Sequence, residues 1–413
     1  MKAGMAGRIL ALILVCGPWA LAAPRVRRKG APRPAVKVGP QPLEGRAHLQ
    51  PFFQSLRALT PGSAEGDVVR VLHFGDSHTA ADRWTGLLRQ RLQARFGDAG
   101  PGLLLPVRPW RGYHHAGVKE TFNLGWPSFS LRSKETDGLV GLTGGAITLA
   151  PGEAYGLEAV FRSFRIHTLG PDQPTVTLSA PVTDAPPVPV PPLDLAMTSV
   201  TAAGQPLRTF TQAPLPLAGP MHLALTLPAS SRLLGVELRS GRSGVTYEEL
   251  GLNGAELFDL EKWRPQVRAA LLEQAAPALL VVSYGTNEMG RGDLDPEAFR
   301  ARAGALLTQL SLEAHCPILV VGPLDRGARK RGALANLRAG ARTVVTALRL
   351  AARDAHCAFW NAQAAMGGPG AITRWRKSGW AQKDLAHLTD AGYQRIAQLQ
   401  CDALLNAYDE ASK

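Results

Sequence analysis

The sequence has few cysteines and no long apolar run in its body. Four cysteines in 413 residues exclude a disulfide-rich scaffold, and no Cys or His spacing typical of zinc occurs. No uninterrupted apolar run after the N-terminus reaches the roughly 20 residues that a membrane-spanning helix needs. With 45% hydrophobic and 19% charged residues, the composition is instead that of a globular protein with a sizeable core.

Acidic residues are also scarce, and the imbalance is concentrated in one segment. The net charge is +13, and the first 40 residues contain no acid. We expect the basic, Pro-rich segment 23–40 to be a disordered linker, with electrostatic contact to anionic envelope polymers as the alternative. No recognition motif favours a nucleic-acid partner. Its basic residues are Arg25, Arg27, Arg28, Lys29, Arg33 and Lys37.

Residues 1–22 have the pattern of a signal peptide. Lys2 and Arg8 precede and flank an apolar stretch, and Ala20-Leu21-Ala22 is a small-x-small cleavage site. Cys16 offers a lipoprotein alternative, but Val15 stands where a lipobox has a small residue. We therefore expect cleavage after Ala22 and a periplasmic or secreted protein with no transmembrane segment after signal removal.

Cys316 and Cys357 each begin an apolar run after a helix-like stretch. If these runs are neighbouring parallel strands, the two thiols lie side by side at their start. An oxidising compartment would then permit a disulfide between them. A disulfide and two ordinary buried thiols both remain open at this point.

Apolar strand-like runs alternate with helical patterns from residue 68 onward. The runs VVRVLHFG (68–75), ALLVVS (278–283) and PILVVG (317–322) predict buried strands, and amphipathic helical segments separate them. Such alternation is typical of a parallel sheet covered by helices on both faces. The sequence therefore predicts a doubly wound parallel-sheet α/β domain.

Residues 114–244 do not follow this alternation of strands and helices. Short β-rich segments separated by Gly, Pro or Ser predict an inserted all-β sandwich, with a Pro-rich connector at 181–194. The α/β domain is then split into 41–113 and 245–413. We expect the insert to be self-contained and to stand over the cleft. Its replacement by a short linker should then spare turnover of a small acetyl ester but depress turnover of a polymeric substrate.

Three motifs lie where strands are predicted to end. In the first, Gly75-Asp76-Ser77-His78, Ser77 is a candidate nucleophile at the crevice of the sheet, and a following helix is expected to direct backbone N–H groups to an anion. The alternative is a Ser that caps this helix. In the second, SYGTNEMG (283–290), the Asn287 amide can donate to an oxyanion.

The third motif, KDLAHLTDAGY (383–393), contains Asp384 and His387 three residues apart. That spacing lets the carboxylate reach imidazole Nδ1 while Nε2 faces a serine. A helix cap beside an exposed His is the alternative when the pair is considered alone.

Together these blocks resemble those of the SGNH hydrolases. The segment GLNGAELF (251–258) is similar to the family block whose glycine lines the oxyanion hole, and Gly254 takes that position. The resemblance implies a triad of Ser77, Asp384 and His387, and an oxyanion hole of Ser77, Gly254 and Asn287. Two residues depart from the family pattern, His78 for the usual leucine and Glu288 for the usual aspartate.

A narrower likeness connects the chain to bacterial peptidoglycan O-acetylesterases. The segments GDSHTAADRWTG (75–86), YGTNE (284–288) and FWNAQAAMGG (359–368) are similar to that branch, whose members carry a carbohydrate-binding-like sandwich at the position of this insert. It implies a secreted serine esterase of an O-acetylated glycan, most simply peptidoglycan, that needs no metal or organic cofactor. An esterase or acetyltransferase of another polysaccharide, and a non-catalytic glycan-binding protein, remain alternatives.

Other polar and aromatic residues have weaker claims to a functional role. His73 is expected to be a packed, hydrogen-bonded core residue, and His114-His115 to be a loop pair. Three aromatic residues are expected to pack in the core, and stacking on a sugar ring is the alternative. They are Trp84, Trp110 and Tyr113.

Overall fold

The structure, a computed structural model, describes most of the chain after residue 40. The predicted signal peptide with Cys16, the basic linker, Trp110 and residues 181–191 of the Pro-rich connector lie outside the described residues. Among the described residues, no helix is long and apolar enough to cross a membrane. The described ranges are 41–61, 63, 67–104, 113–123, 125–180, 192–216, 219–328 and 331–411, the last without the side chains of 331–336.

The described residues form a mixed α/β architecture. The strands are β1 (Val68–Gly75), β2 (Gly102–Leu104), β3 (Lys119–Thr121), β4 (Ser128–Ser130), β5 (Gly145–Ile147), β6 (Tyr155–Val160), β7 (Ser163–Leu169), β8 (Thr175–Ser179), β9 (Leu195–Ala202), β10 (Gln205–Gln212), β11 (Pro220–Thr226), β12 (Arg232–Arg239), β13 (Gly244–Gly251), β14 (Leu279–Ser283), β15 (Ile318–Val321) and β16 (Ala358–Trp360). The α-helices are α1 (Gln50–Ala58), α2 (Thr85–Phe96), α3 (Pro265–Ala275), α4 (Pro296–Ala314), α5 (Arg331–Asp354), α6 (Ala362–Ala365), α7 (Ala371–Lys377) and α8 (Asp390–Glu410).

Five parallel strands form one sheet in the order β13-β1-β14-β15-β16. Successive side chains of a strand point to opposite faces. Leu72 and Val282 accordingly pack on one side with α3, α4 and α5, whereas Val71 and Val281 pack on the other with α1, α2 and α8. Helices therefore cover both faces, and the predicted doubly wound α/β fold is confirmed.

The sequence patterns do not predict β13, which pairs with β1 along its whole length. Its segment VTYEEL contains Glu248 and Glu249, whose relative exposures are 0% and 1%. Acidic residues interrupt the apolar run by which a buried strand is identified. Here a distant residue compensates, because Arg70 Nε lies 2.8 Å from Glu248 Oε1.

Two antiparallel sheets form the predicted β-sandwich. One has the order β4-β5-β12-β7-β10-β9 with β2 beside β12, and the other has the order β3-β6-β11-β8. Apolar side chains of both sheets, such as Phe164 and Leu223, share one core between them. Since β2 pairs with β12, the larger sheet includes residues before the expected boundary at 114. We refer to residues 102–243 as the insert.

The insert is not the self-contained unit expected from its sequence. Leu207 and Leu234 of its larger sheet belong to the same buried core as Leu72 and Leu271 of the α/β part. Arg70 of β1 is also ion-paired with Glu237 of β12. Cutting the insert away would expose this apolar face and leave a buried charge without its partner. We therefore expect its replacement by a linker to destroy the fold rather than to spare small-ester turnover.

Cys316 and Cys357 precede β15 and β16, which are neighbouring parallel strands as predicted. Both residues are free, buried thiols. Burial raises the pKa of each thiol to about 12. The structure therefore supports two buried thiols and not the disulfide.

Candidate active site

The predicted site residues come together at the carboxyl ends of the parallel strands. Ser77 follows β1, Gly254 follows β13 and Asn287 follows β14, while Asp384 and His387 lie in the loop before α8. Parallel strands end at one edge of a sheet, where ligand crevices form in open α/β folds. The site opens into a cavity of about 460 Å³, lined by Ser77, Ala80, Ala81, Arg83, Asn253, Gly254, Asn287, Gln382, His387 and Tyr393.

Ser77, His387 and Asp384 form a hydrogen-bonded relay. Ser77 Oγ lies 2.9 Å from His387 Nε2, and His387 Nδ1 lies 2.7 Å from Asp384 Oδ2. A carboxylate at Nδ1 selects the tautomer in which Nε2 can accept the serine proton. The arrangement is that of a nucleophile, a general base and the group that orients the base.

A tight turn holds the carboxylate in this position. Leu385 has a positive φ of 59°, and Asp384 Oδ1 accepts the backbone N–H groups of Ala386 at 3.0 Å and His387 at 3.1 Å. Burial alone would raise the pKa of Asp384, but these hydrogen bonds and the one from the imidazole lower it below its usual value. The carboxylate therefore stays ionised beside His387.

Three donors surround the space in front of Ser77. Within the described chain, no hydrogen-bond partner takes the backbone N–H of Ser77 or of Gly254, and both residues line the cavity. Gly254 has a φ of 71°, in the left-handed region that favours glycine. Asn287 Nδ2 donates one hydrogen to Ala255 O at 2.8 Å, which leaves its second hydrogen for a ligand.

The helix predicted after the first motif follows a turn, as expected from the sequence RWTGLLRQRLQARF (83–96). Residues 76–84 form turns, in which Thr79 and Ala80 donate their backbone N–H groups to Asp76 O. Asp82 has a positive φ of 51°, and α2 begins only at Thr85. The backbone N–H of Ser77 therefore belongs to a turn and not to the first turn of α2.

The two departures from the family pattern lie behind the site. His78 is 3% exposed; its Nδ1 lies 3.0 Å from Tyr393 Oη and its ring centroid 5.3 Å from that of His387. Glu288 Oε1 accepts the Leu257 N–H at 2.7 Å, and burial raises the pKa of Glu288 to about 7. Neither residue lines the cavity, so both support the site from its interior side.

Most of the weaker candidates that the structure describes are buried. His73 is fully buried and its Nδ1 lies 2.9 Å from Tyr247 Oη, so its prediction as a packed core residue is confirmed. Trp84 and Tyr113 are 1% and 2% exposed, which excludes stacking on a sugar ring in this conformation. In the adjacent pair, His114 is exposed and His115 is buried.

Part of the chain is similar to a known family. Residues 224–395 match the GDSL-like Lipase/Acylhydrolase family. The match includes Gly254, Asn287, Asp384 and His387, whereas Ser77 precedes it because the insert separates β1 from β13. A comparison with the sequences of curated proteins finds no match.

Several solved structures are similar to the chain. A peptidoglycan O-acetylesterase has a TM-score of 0.70 and 25% sequence identity, and the similarity covers 89% of this chain and 99% of that one. A lipase/acylhydrolase from Enterococcus faecalis has 17% identity and a TM-score of 0.27, covering 38% of this chain and 74% of its own. The esterase EstA from Pseudoalteromonas sp. has 15% identity and a TM-score of 0.30, covering 39% and 78%.

Proposed function

Since this chain carries a domain of the GDSL-like lipase/acylhydrolase family, as its motifs predict, we propose that it is a serine esterase that removes O-acetyl groups from peptidoglycan. The observation that carries this proposal is the relay Ser77–His387–Asp384, with distances of 2.9 Å and 2.7 Å. It lies beside backbone donors that have no partner among the residues that the structure describes. This set of groups performs acyl transfer through a covalent intermediate.

In the first half of the reaction, Ser77 Oγ attacks the acetyl carbonyl carbon and His387 Nε2 takes the serine proton. The carbonyl oxygen becomes an oxyanion, which accepts hydrogen bonds from the N–H groups of Ser77 and Gly254 and from the Asn287 amide. The intermediate then breaks its bond to the sugar oxygen, which leaves with the proton from His387. Asp384, kept ionised by its hydrogen bonds, stabilises the imidazolium in between.

In the second half, water attacks the acetyl group on Ser77 and gives a proton to His387. The second tetrahedral intermediate occupies the same donors. Its collapse breaks the ester bond, returns the proton to Ser77 Oγ and releases acetate. Every group that these steps require belongs to the chain, so the proposal invokes no metal or organic cofactor.

A glycan substrate is supported by the relative and by the surface around the site. A solved structure whose similarity covers 89% of this chain, with a TM-score of 0.70, is a peptidoglycan O-acetylesterase. A second open cavity of about 680 Å³ lies next to the first and shares Arg83 with it. Among the described residues, the exposed amides of Gln90 and Gln394 in this cavity make no hydrogen bond, and amides of this kind can bind sugar hydroxyls. Two adjoining cavities suit a polymer better than an isolated acetyl ester.

A location in the cell envelope follows from the same proposal. The predicted signal peptide would export the chain, and the basic segment 23–40 could then contact anionic envelope polymers. Both segments lie outside the described residues. An export assay with residues 1–22 fused to a reporter tests this part separately from the enzymology.

The decisive experiment measures acetate release from O-acetylated peptidoglycan and from acetylated xylan. We expect wild type to prefer peptidoglycan, and Ser77→Ala to retain less than a few per cent of the activity with an unchanged circular dichroism spectrum. Ser55→Ala, which changes an exposed serine on α1, is the matched control. A folded Ser77→Ala protein with substantial activity would refute the nucleophile assignment, and a preference for xylan would refute the substrate.

A further inference from the structure

The loop that carries Gly254 is held by several contacts from the α/β part. Ala255 N–H donates to Leu252 O at 3.0 Å and closes the turn around Gly254. Asn287 Nδ2 donates to Ala255 O at 2.8 Å, and Leu257 N–H donates to Glu288 Oε1 at 2.7 Å. These bonds fix the loop towards β14 but leave its outer side to other residues.

Arg132, which comes from the insert just after β4, covers that outer side. Its Nη1 donates to Asp259 Oδ2 at 3.0 Å, and the same oxygen accepts the Glu256 N–H at 2.9 Å. A Cβ added to Gly254 would lie 3.5 Å from Arg132 Nη2. The guanidinium thus lies between the buried carboxylate of Asp259 and the space that a side chain on Gly254 would occupy.

The segment that carries Arg132 is itself anchored in the core. Leu131 is 0% exposed and belongs to the core that the insert shares with the α/β part. Its N–H donates to Gly144 O at 3.0 Å, and a Cβ on Gly144 would lie 2.6 Å from Leu252 Cδ1. The position of Arg132 is therefore set by packing directly against the loop of the oxyanion hole.

We propose that Arg132 is a positioning residue of the oxyanion hole. Paired with Asp259, it holds Gly254 at the distance from Ser77 that the developing oxyanion requires. Arg132 is not among the residues that line the cavity in front of Ser77, so it acts through the position of Gly254. The insert is then part of the esterase active site and not only a means of binding a glycan. This inference rests on the proposed esterase function.

Arg132→Ala tests the inference with a small soluble acetyl ester, which needs no glycan contacts. A misplaced catalytic group can cost up to about 100-fold in rate, and we expect kcat to fall roughly 10-fold to 100-fold with KM little changed. Arg132→Lys should restore part of the rate, and millimolar guanidinium ion should partly rescue Arg132→Ala. Thermal melting of each variant verifies that it is folded.

Lys262→Ala is the matched control. Lys262 Nζ lies 2.6 Å from Asp259 Oδ1, and its side chain is 42% exposed, like that of Arg132. No contact joins it to the position of a Gly254 Cβ. We therefore expect a kcat within about 2-fold of wild type for this variant.

Three results would overturn the inference while the esterase function stands: an unchanged kcat in Arg132→Ala, a raised KM at constant kcat, or an equal loss in Lys262→Ala. The last would mean that neutralising Asp259 matters and not contact with Gly254. A wild-type protein without activity on any acetyl ester would overturn the proposed function together with this inference.

Discussion

The ion pair between Arg70 and Glu237 joins the insert to the parallel sheet, and Glu237→Ala should destabilise the whole chain. The two side chains are 3% and 0% exposed. Arg70 also contacts Glu248 and donates Nη1 to Ala275 O at 3.0 Å. Burial opposes the charge on Glu237, but Arg70 and neighbouring cations lower its pKa well below the usual value. Glu237 is therefore ionised, and its removal leaves Arg70 without one of its two carboxylate partners.

The expected loss of stability is about 3–5 kcal/mol, the usual cost of removing one partner of a buried ion pair. Domains have a free energy of unfolding of roughly 5–15 kcal/mol, so this loss is a large fraction of the total. At roughly 2–4 °C per kcal/mol for a domain of ordinary size, the melting temperature should fall by roughly 6–20 °C.

Thermal and denaturant unfolding, followed by circular dichroism, measure this loss. Arg349→Ala is the control, because its partner Glu44 lies 2.6 Å away but both side chains are about half exposed, at 58% and 44%. An exposed pair should contribute less than about 1 kcal/mol. Because the pKa of Glu237 is lowered in the folded state, its ionised carboxylate contributes to the free energy of unfolding at pH values above its ordinary pKa of 4.5. This contribution is lost as the pH falls towards the lowered pKa. The difference in free energy of unfolding between wild type and Glu237→Ala should therefore become smaller in acid.

A Glu237→Ala protein no less stable than Arg349→Ala would refute the reasoning, since the buried pair would then contribute no more than a surface pair. A stability difference that stays constant into acid would show that the loss arises from a cavity and not from the missing charge.

Two further predictions concern the site itself. Asn287→Ala should lower kcat by about 10²–10³ with little change in KM, because this is the usual loss for one oxyanion donor. Steady-state kinetics measure both constants. A raised KM at constant kcat would make Asn287 a substrate-binding residue. Burial raises the pKa of Glu288 from 4.5 to about 7, so wild type should lose stability as the pH rises from about 4.5 through 7, by roughly 3 kcal/mol. Glu288→Gln should lack this loss in denaturant unfolding at pH 5 and pH 8, and equal losses in the two proteins would contradict it.

The sequence by itself determined the parallel sheet, the presence of a β-rich insert and the candidate triad. Strands β1, β14 and β15 are continuous apolar runs, and runs of this kind between helical segments require a sheet that is buried on both faces. Because parallel strands end at a common edge, the residues after them were expected to meet. The short spacing between Asp384 and His387 also made their contact a local property.

Only the tertiary structure decided how the insert joins the site. Strand β13 contains the buried acid Glu248, whose partner Arg70 lies more than a hundred residues earlier in the chain. Arg132 reaches Gly254 across a similar separation in sequence. Local sequence patterns predict which face of a segment is buried. They do not predict which distant side chain pairs with a buried charge or lies beside a glycine. Those contacts are determined by how one sheet packs on another.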